Sequence, residues 1–213
     1  MSFAKEAWPF VVPVASVALL LALFGKNRWA LAATLLACGL LFFFRIPQRE
    51  SKAGADALLS PANGKVLKID QIEDPDVGPG RFHRVVIFLS VFNVHVQRAP
   101  AAGRVVASQY TAGKKLAAFN PRAGEVNEQH LTVFEHPVQG RIGVRQIAGL
   151  VARRVVTYLE EGQEVERGQL IGVIKFGSRV DLLVPVSYHL EVEVGQKVLE
   201  GATIVARNED GTS

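Results

Sequence analysis

Gly162-Gln163-Glu164-Val165-Glu166-Arg167-Gly168-Gln169-Leu170-Ile171 recurs as Gly195-Gln196-Lys197-Val198-Leu199-Glu200-Gly201-Ala202-Thr203-Ile204. The shared pattern, G-Q-x-V-x-x-G, is a pair of glycine turns around a short apolar stretch. A second unit, Ser60-Pro61-Ala62-Asn63-Gly64-Lys65-Val66, is echoed by Ala99-Pro100-Ala101-Ala102-Gly103-Arg104-Val105 and by His136-Pro137-Val138-Gln139-Gly140-Arg141-Ile142. Each Pro-x-x-Gly-basic-aliphatic unit reads as a turn that launches a strand. From Leu58 onward the chain consists of short β-branched runs broken by Gly, Pro and Asn, without a sustained helical period. That pattern predicts a mainly β, antiparallel domain. Strands are expected at 65–71, 84–97, 104–110, 131–135, 141–147, 153–159, 170–175, 179–184, 189–194 and 203–206. The stretch from Thr111 to Gln129, with Gly113-Lys114-Lys115, Pro121 and Gly124, reads as a long loop of the kind that often serves function.

With 213 residues, 49% of them hydrophobic, the chain holds one ordinary domain plus a segment that raises its mean hydropathy. That segment is N-terminal. Trp8–Phe24 and Trp29–Phe44 are uncharged apolar runs separated by Gly25-Lys26-Asn27-Arg28. Each is about 25 Å of helix, short for a hydrocarbon core of about 30 Å but workable with Trp and basic anchors. A membrane hairpin over residues 1–50 is therefore expected, followed by a domain over 51–213. A cleaved signal peptide explains only the first run, and two buried soluble helices are the other alternative. Lys5, Arg45, Arg49 and Lys52 outside the hairpin, against Lys26 and Arg28 in its loop, lead us to expect both ends and the following domain on the cytoplasmic side of the membrane. Cys38, the single cysteine, lies in the second run and reads as a packing residue; it excludes an intrachain disulfide and a cysteine metal cluster. A formal charge of +4 suits an anionic bilayer or substrate. The basic residues are scattered without interleaved aromatics, which argues against nucleic acid.

Between two apolar strand-like runs stands Gly177-Ser178. Alone, such a pair is a turn. It is also the least hindered peptide link a serine hydroxyl can attack, because glycine places no side chain beside the carbonyl. Serine addition turns the amide into an ester, elimination leaves dehydroalanine, and hydrolysis leaves a pyruvoyl group at a new N-terminus. The attack needs a base, and histidine is the natural one. By composition alone His95, in an otherwise apolar β run, reads as a hydrogen-bonded core residue.

Ser60-Pro61-Ala62-Asn63-Gly64-Lys65-Val66, Phe88-Leu89-Ser90-Val91-Phe92-Asn93-Val94-His95-Val96-Gln97-Arg98-Ala99-Pro100 and Phe176-Gly177-Ser178 occur in an order and spacing that resembles phosphatidylserine decarboxylases of the short, membrane-anchored microbial type. The similarity runs from about Leu58 to Ala206. It implies a pyruvoyl-dependent enzyme that converts phosphatidylserine to phosphatidylethanolamine and carbon dioxide through a Schiff base with a pyruvoyl group derived from Ser178, without metal or pyridoxal phosphate. It further implies self-cleavage between Gly177 and Ser178 into a β chain, 1–177, and an α chain, 178–213, that stay together as a heterodimer; homo-oligomers are compatible with this. His95 would serve as base and later as proton donor to the substrate carbon. His83, His130, His136 and His189 lack the motif and read as surface or strand-end residues, with His189 in reserve.

One departure stands out. The family usually carries Asp where this chain has Asn63, and there the carboxylate would orient the histidine and stabilise its cation. Asn can accept the ring N–H but has no charge, and in serine-protease triads the analogous exchange lowers kcat by roughly 10⁴. Three readings follow: slow processing, substitution by Asp181 or Glu128, or an introduced change that traps the precursor. As a turn pair, Asn63-Gly64 is ordinary. Asp181 alone reads as a solvated strand carboxylate and Lys175 as a solvated strand lysine with some attraction for a lipid anion. Asn127-Glu128-Gln129 stands where the family has Asn-Glu-Arg, which weakens an anion-binding role for that loop.

The repeats also resemble the flattened β-barrels of biotinyl and lipoyl carriers and of phosphotransfer domains, so the expected fold is a flattened antiparallel barrel or sandwich of that hybrid kind behind a helical hairpin. A carrier or phosphotransfer module at the membrane is the rival function, but the chain has no Met-Lys-Met or Asp-Lys-Ala hairpin tip and no matching phosphohistidine motif. A Ser178–Lys175 hydrolase dyad is a further rival that leaves the His95 motif without a role.

Overall fold

A computed structural model describes residues 2–90, 93–136, 140–150, 155–174 and 177–208. Val91, Phe92, Pro137, Arg153, Lys175 and Phe176, which figure in the motifs and strands above, lie outside these residues. The chain divides into two compact units, Met1–Gln48 and Arg49–Ser213.

In the first unit, β1 (Ser2–Phe3) pairs antiparallel with β2 (Arg45–Ile46), and α1 (Trp8–Leu23) and α2 (Asn27–Phe43) lie between them. The helices bury small positions one heptad apart, Val11 and Ala18 on α1 and Ala30 and Ala37 on α2. Leu19, Leu20, Leu23, Leu31, Leu35 and Leu36 are exposed. A water-soluble hairpin would bury its leucines, whereas small residues inside and large apolar ones outside is the packing that lipid favours. With the turn that precedes it, the helix Lys5–Leu23 is long and apolar enough to cross a membrane by length and composition; Asn27–Phe43 is shorter. Cys38 is exposed on α2 and does not serve the packing role expected of it.

The second unit is mainly β, built on a curled antiparallel half-barrel sheet. Its strands are β3 (Ala57–Leu59), β4 (Gly64–Glu73), β5 (Arg81–Leu89), β6 (Val96–Arg98), β7 (Gly103–Thr111), β8 (Gln129–His136), β9 (Gly140–Ile147), β10 (Val155–Thr157), β11 (Glu164–Val165), β12 (Leu170–Ile174), β13 (Ser178–Pro185), β14 (Tyr188–Leu190), β15 (Lys197–Val198) and β16 (Ile204–Asn208). Eight of them form the large sheet in the order β11-β7-β8-β9-β13-β5-β4-β15, and β10-β12-β6 and β14-β16-β3 form two smaller ones. The expected loop at 111–129 contains one short helix, α3 (Ala123–Val126), and a bridge between Lys114 and Asn127.

The two kinds of sequence repeat pair with each other. Gly162 N donates to Val105 O and Val105 N to Gln163 O; in the same way Gly195 N donates to Val66 O and Val66 N to Gln196 O. Val165 stands opposite Gly103 and Val198 opposite Gly64. Each G-Q-x-V-x-x-G segment thus closes onto one Pro-x-x-Gly turn. The turns also cross-link, Leu59 N to Pro100 O and Arg98 N to Pro61 O. This double closure fixes the Asn63 turn beside the segment that carries His95.

β13 lies between β5 and β9 in the large sheet and is buried along almost its whole length. Val180, Leu182 and Val184 enter the main core, while Leu183 on the other face joins Val77, Phe82, Leu131 and Val133. Burial of each such aliphatic side chain is worth about 1.5–3 kcal/mol. On β4 the exposed side is charged, and Asp70, opposite Arg84 of β5, accepts its Nε and Nη2 at 2.8 and 2.6 Å. Hydrogen bonding from Arg84, helped by Lys68 against opposing desolvation, holds the Asp70 carboxyl at about 2, below its ordinary 3.8. A depressed folded-state value stabilises the fold above the unfolded value and loses that contribution as the pH falls through the folded one. Asp70→Asn is therefore expected to lower stability at pH 7, by no more than about 1 kcal/mol for a half-buried pair still screened by solvent, and with it the thermal midpoint. The difference should shrink below pH 4 and close as the pH falls through 2; one that is undiminished at pH 2 would contradict this assignment.

Candidate active site

The apolar run expected as one strand from Arg84 to Gln97 is broken. β5 ends at Leu89 and β6 begins at Val96. The break is local chemistry: Asn93 Oδ1 accepts both the backbone N–H of Ser90 at 2.8 Å and its hydroxyl at 2.7 Å, and Asn93 N donates to Ser90 O. Side-chain bonds of this kind compete with the strand ladder and turn the chain. His95 consequently sits at the turn's exit, 1% exposed, with its ring aimed at the start of β13.

The imidazole is held at both nitrogens. Nδ1 lies 2.8 Å from Asn93 O, and Gly177 N–H donates to Nε2 at 3.2 Å. A carbonyl at one nitrogen and an N–H donor at the other assign the neutral ring its tautomer: the proton is on Nδ1 and the lone pair on Nε2. Gly177 adopts φ +49°, a left-handed conformation natural to glycine. Ser178, the first residue of β13, is fully buried, and its Oγ has no hydrogen-bond partner among the described residues. A buried hydroxyl without a partner costs about 1–3 kcal/mol and signals a functional strain or an unseen partner. Here it belongs to the residue that follows the histidine-bound glycine.

Asn63 is nearly buried, and Asn93 Nδ2 donates to its Oδ1 at 3.0 Å. Its described hydrogen bond therefore reaches the imidazole through Asn93, whose own carbonyl takes the Nδ1 proton. Asp181, expected in solvent or in the site, is neither. It is 2% exposed and accepts Arg179 Nε and Nη2 at 2.6 and 2.7 Å. Strand alternation puts this pair on the opposite face of β13 from Ser178. Glu128 is buried too, its Oε1 accepting Val155 N at 3.2 Å. Asn127 is a clamp rather than an anion ligand: its Nδ2 donates to Leu116 O and Ala148 O, and its Oδ1 accepts from Leu116 N.

Of the remaining histidines, His189 is exposed on β14 in a different sheet, and His83 and His136 are half-buried. His130, expected at the surface, is buried in β8 with Nε2 3.0 Å from Ser108 Oγ, and burial pushes its pKa below the ordinary value. Among the described residues no group of three or more His, Cys, Asp or Glu side chains is arranged to hold a metal ion.

Two positioning residues escaped the sequence reading. Gln97 Nε2 donates to His95 O at 2.8 Å, and Gln146 Nε2 donates to Gln97 Oε1 at 2.8 Å, both inside the core. With Ile174 N also on His95 O, the backbone of the histidine is fixed from two sides. The available signal was a glutamine two residues beyond the histidine in an apolar run, where only a satisfied amide is tolerated. Arg98, which closes the same motif, donates to Gly168 O at 2.7 Å and tethers the first glycine repeat.

Comparison with known sequences agrees with this architecture. The family profile for phosphatidylserine decarboxylase matches residues 39–206. The chain is 39% identical over 208 residues to the phosphatidylserine decarboxylase proenzyme of Citrifermentans bemidjiense, covering 95% of this chain and 94% of that one. It is 41% identical over 206 residues to the proenzyme of the same name from Symbiobacterium thermophilum, covering 96% and 94%. To that of Burkholderia ambifaria it is 37% identical, covering 97% and 96%. A mainly β domain with these relatives is a decarboxylase of the kind made as a proenzyme. The chain belongs to the phosphatidylserine decarboxylase family.

Proposed function

We propose that this chain cleaves itself between Gly177 and Ser178 and then, through the pyruvoyl group so formed, converts phosphatidylserine to phosphatidylethanolamine. The supporting observation is the junction itself: Gly177 N–H on the lone pair of His95 Nε2, followed by a buried Ser178 Oγ without a partner among the described residues. In this reading His95, with Asn63 behind it through Asn93, gives up its bond from Gly177 N–H and accepts the Ser178 proton on Nε2 as Oγ adds to the Gly177 carbonyl. The buried, water-poor surroundings fit a carbonyl group at residue 178 and disfavour simple hydrolysis of the ester. The pyruvoyl group supplies a ketone that condenses with the substrate amine and takes up the electron pair left as carbon dioxide departs.

The residues from 178 onward provide β13, β14, β15 and β16, and β13 is paired on both edges by strands from before the cut. The β chain (1–177) and α chain (178–213) therefore remain a non-covalent heterodimer in this account. Residues 1–50 anchor the decarboxylase domain, 51–213, at the cytoplasmic side of the inner membrane, beside a lipid substrate that never leaves the bilayer. The outward leucines of α1 and α2 support the anchor.

Intact-mass measurement on the purified chain, with a parallel assay of lipid decarboxylation, tests the reading. An α chain starting at residue 178 and lighter by the elements of ammonia than its serine-ended form is expected, and Ser178→Ala should give one uncut, inactive polypeptide. Decarboxylation by an uncut preparation would refute the proposal.

A further inference from the structure

The segment that faces the proposed scissile carbonyl comes from the end of β9. An ideal Cβ placed on Gly149 would fall 2.0 Å from Gly177 O, 3.0 Å from Gly177 C and 3.2 Å from Ala118 Cβ. Gly149 does not adopt a left-handed φ, so torsion does not demand glycine there. Space does. Both sides of this contact are pinned. Ala148 N donates to Glu128 O at 2.9 Å, and Asn127 Nδ2 donates to Ala148 O at 2.7 Å from a side chain 1% exposed. Across from them, β13 is held by β5 and β9, and Gly177 N by His95.

We infer that Gly149, clamped by Asn127, is a positioning residue for self-cleavage: its bare α-carbon is the wall that sets where the Gly177 carbonyl oxygen lies when Ser178 attacks. The inference rests on the proposed cut at Gly177–Ser178. In that step His95 Nε2 releases the Gly177 N–H, the bond from Ser178 Oγ to the Gly177 carbonyl carbon forms, and the hydroxyl proton passes to the lone pair so freed. That proton then goes to the Ser178 nitrogen as the carbon–nitrogen bond breaks, which leaves an ester and a free amine. The oxygen's position fixes the face offered to Oγ. A methyl group at 149 cannot coexist with it, and since both backbones are held, the displacement falls on the 177–178 peptide. A misplacement of about 1 Å at a reacting centre costs roughly 10²-fold in rate.

The test compares full-length Gly149→Ala with the unsubstituted chain in a cleavage time course read by denaturing gel and intact mass. Cleavage roughly 10²-fold slower is expected, with no relief from hydroxylamine, which releases chains stalled at the ester but not chains in which the ester never forms. Ala118→Gly, which removes only the third contact, should not restore the cut in Gly149→Ala. In a Ser178→Ala background, Gly149→Ala should still unfold cooperatively. Cleavage at the unsubstituted rate, recovery with hydroxylamine, recovery through Ala118→Gly, or loss of cooperative unfolding would each overturn the inference. Failure of the unsubstituted chain to cleave would instead overturn the proposed function.

Discussion

Replacing His95 with alanine is expected to leave the chain as a single uncut polypeptide on denaturing gels and without decarboxylase activity. The imidazole is the one titratable group whose contact with the Gly177–Ser178 junction is described, and its lone pair already faces that segment through the 3.2 Å bond from Gly177 N–H. Loss of a positioned general base lowers rates by roughly 10²–10⁴. Loss of the Gly177 tether adds to this, because the peptide then keeps its left-handed turn without a partner. A fold defect is separable from a chemical one. The carbonyl of His95 keeps its bonds from Gln97 Nε2 and Ile174 N whatever the side chain is, so the β6 region should remain in place. His95→Ala that folds and still cuts at the unsubstituted rate would remove the histidine from the chemistry.

Asn63→Asp is expected to act in the opposite direction and quicken the cut. A carboxylate at this position still accepts Asn93 Nδ2, which now donates to Asn63 Oδ1 at 3.0 Å, and so the relay to the imidazole persists. What it adds is negative charge, which favours the imidazolium formed as Ser178 loses its proton. The ceiling is the roughly 10⁴-fold effect of the Asp–Asn exchange in a triad where the carboxylate binds the ring directly. Action through Asn93 places the expected gain below that, on the order of 10–10³-fold. Position 63 is almost buried, so desolvation resists ionisation of the new carboxyl, and the gain should fade as the pH drops and that group protonates. A time course across pH reads both effects. An unchanged rate at every pH would dismiss position 63 as a determinant of processing. Asp181, bound by Arg179 on the far face of β13, offers no substitute charge in the meantime.

The misread elements have physical causes that residue propensity and periodicity do not weigh. The run through Val94-His95-Val96 has strand composition, but two hydrogen bonds from Ser90 to one Asn93 oxygen stop the ladder and turn His95 inward. Local pattern weighs propensity, and here a side-chain bond outweighs it. Asp181 reads as solvated because carboxylates usually are, yet an arginine two residues earlier on the same face neutralises it in the interior. His130 follows the same logic, since β8 is covered on the side it faces. Gln146 and Gly149 carry no local signal of function, and Gln97 carries only that of an amide set in an apolar run beside the histidine. Their roles depend on chain segments about 30 to 80 residues away that only folding brings into contact.

What residue order alone determined is the chemistry available: a glycine-serine link without steric protection, a histidine motif, glycine and proline turns that dictate a mainly β domain, and an apolar hairpin ahead of it. These are local properties of side chains and backbone freedom, and they survive translation into any fold that the pattern permits. Tertiary structure decided which groups meet. The mutual closure of the two repeat types sets the Asn63 turn against Asn93, the broken strand delivers the His95 lone pair to Gly177 N–H, and β9 brings the bare face of Gly149 against the Gly177 carbonyl. Those contacts are long-range hydrogen bonds and excluded volume, which have no expression in a sequence until the chain is closed upon itself.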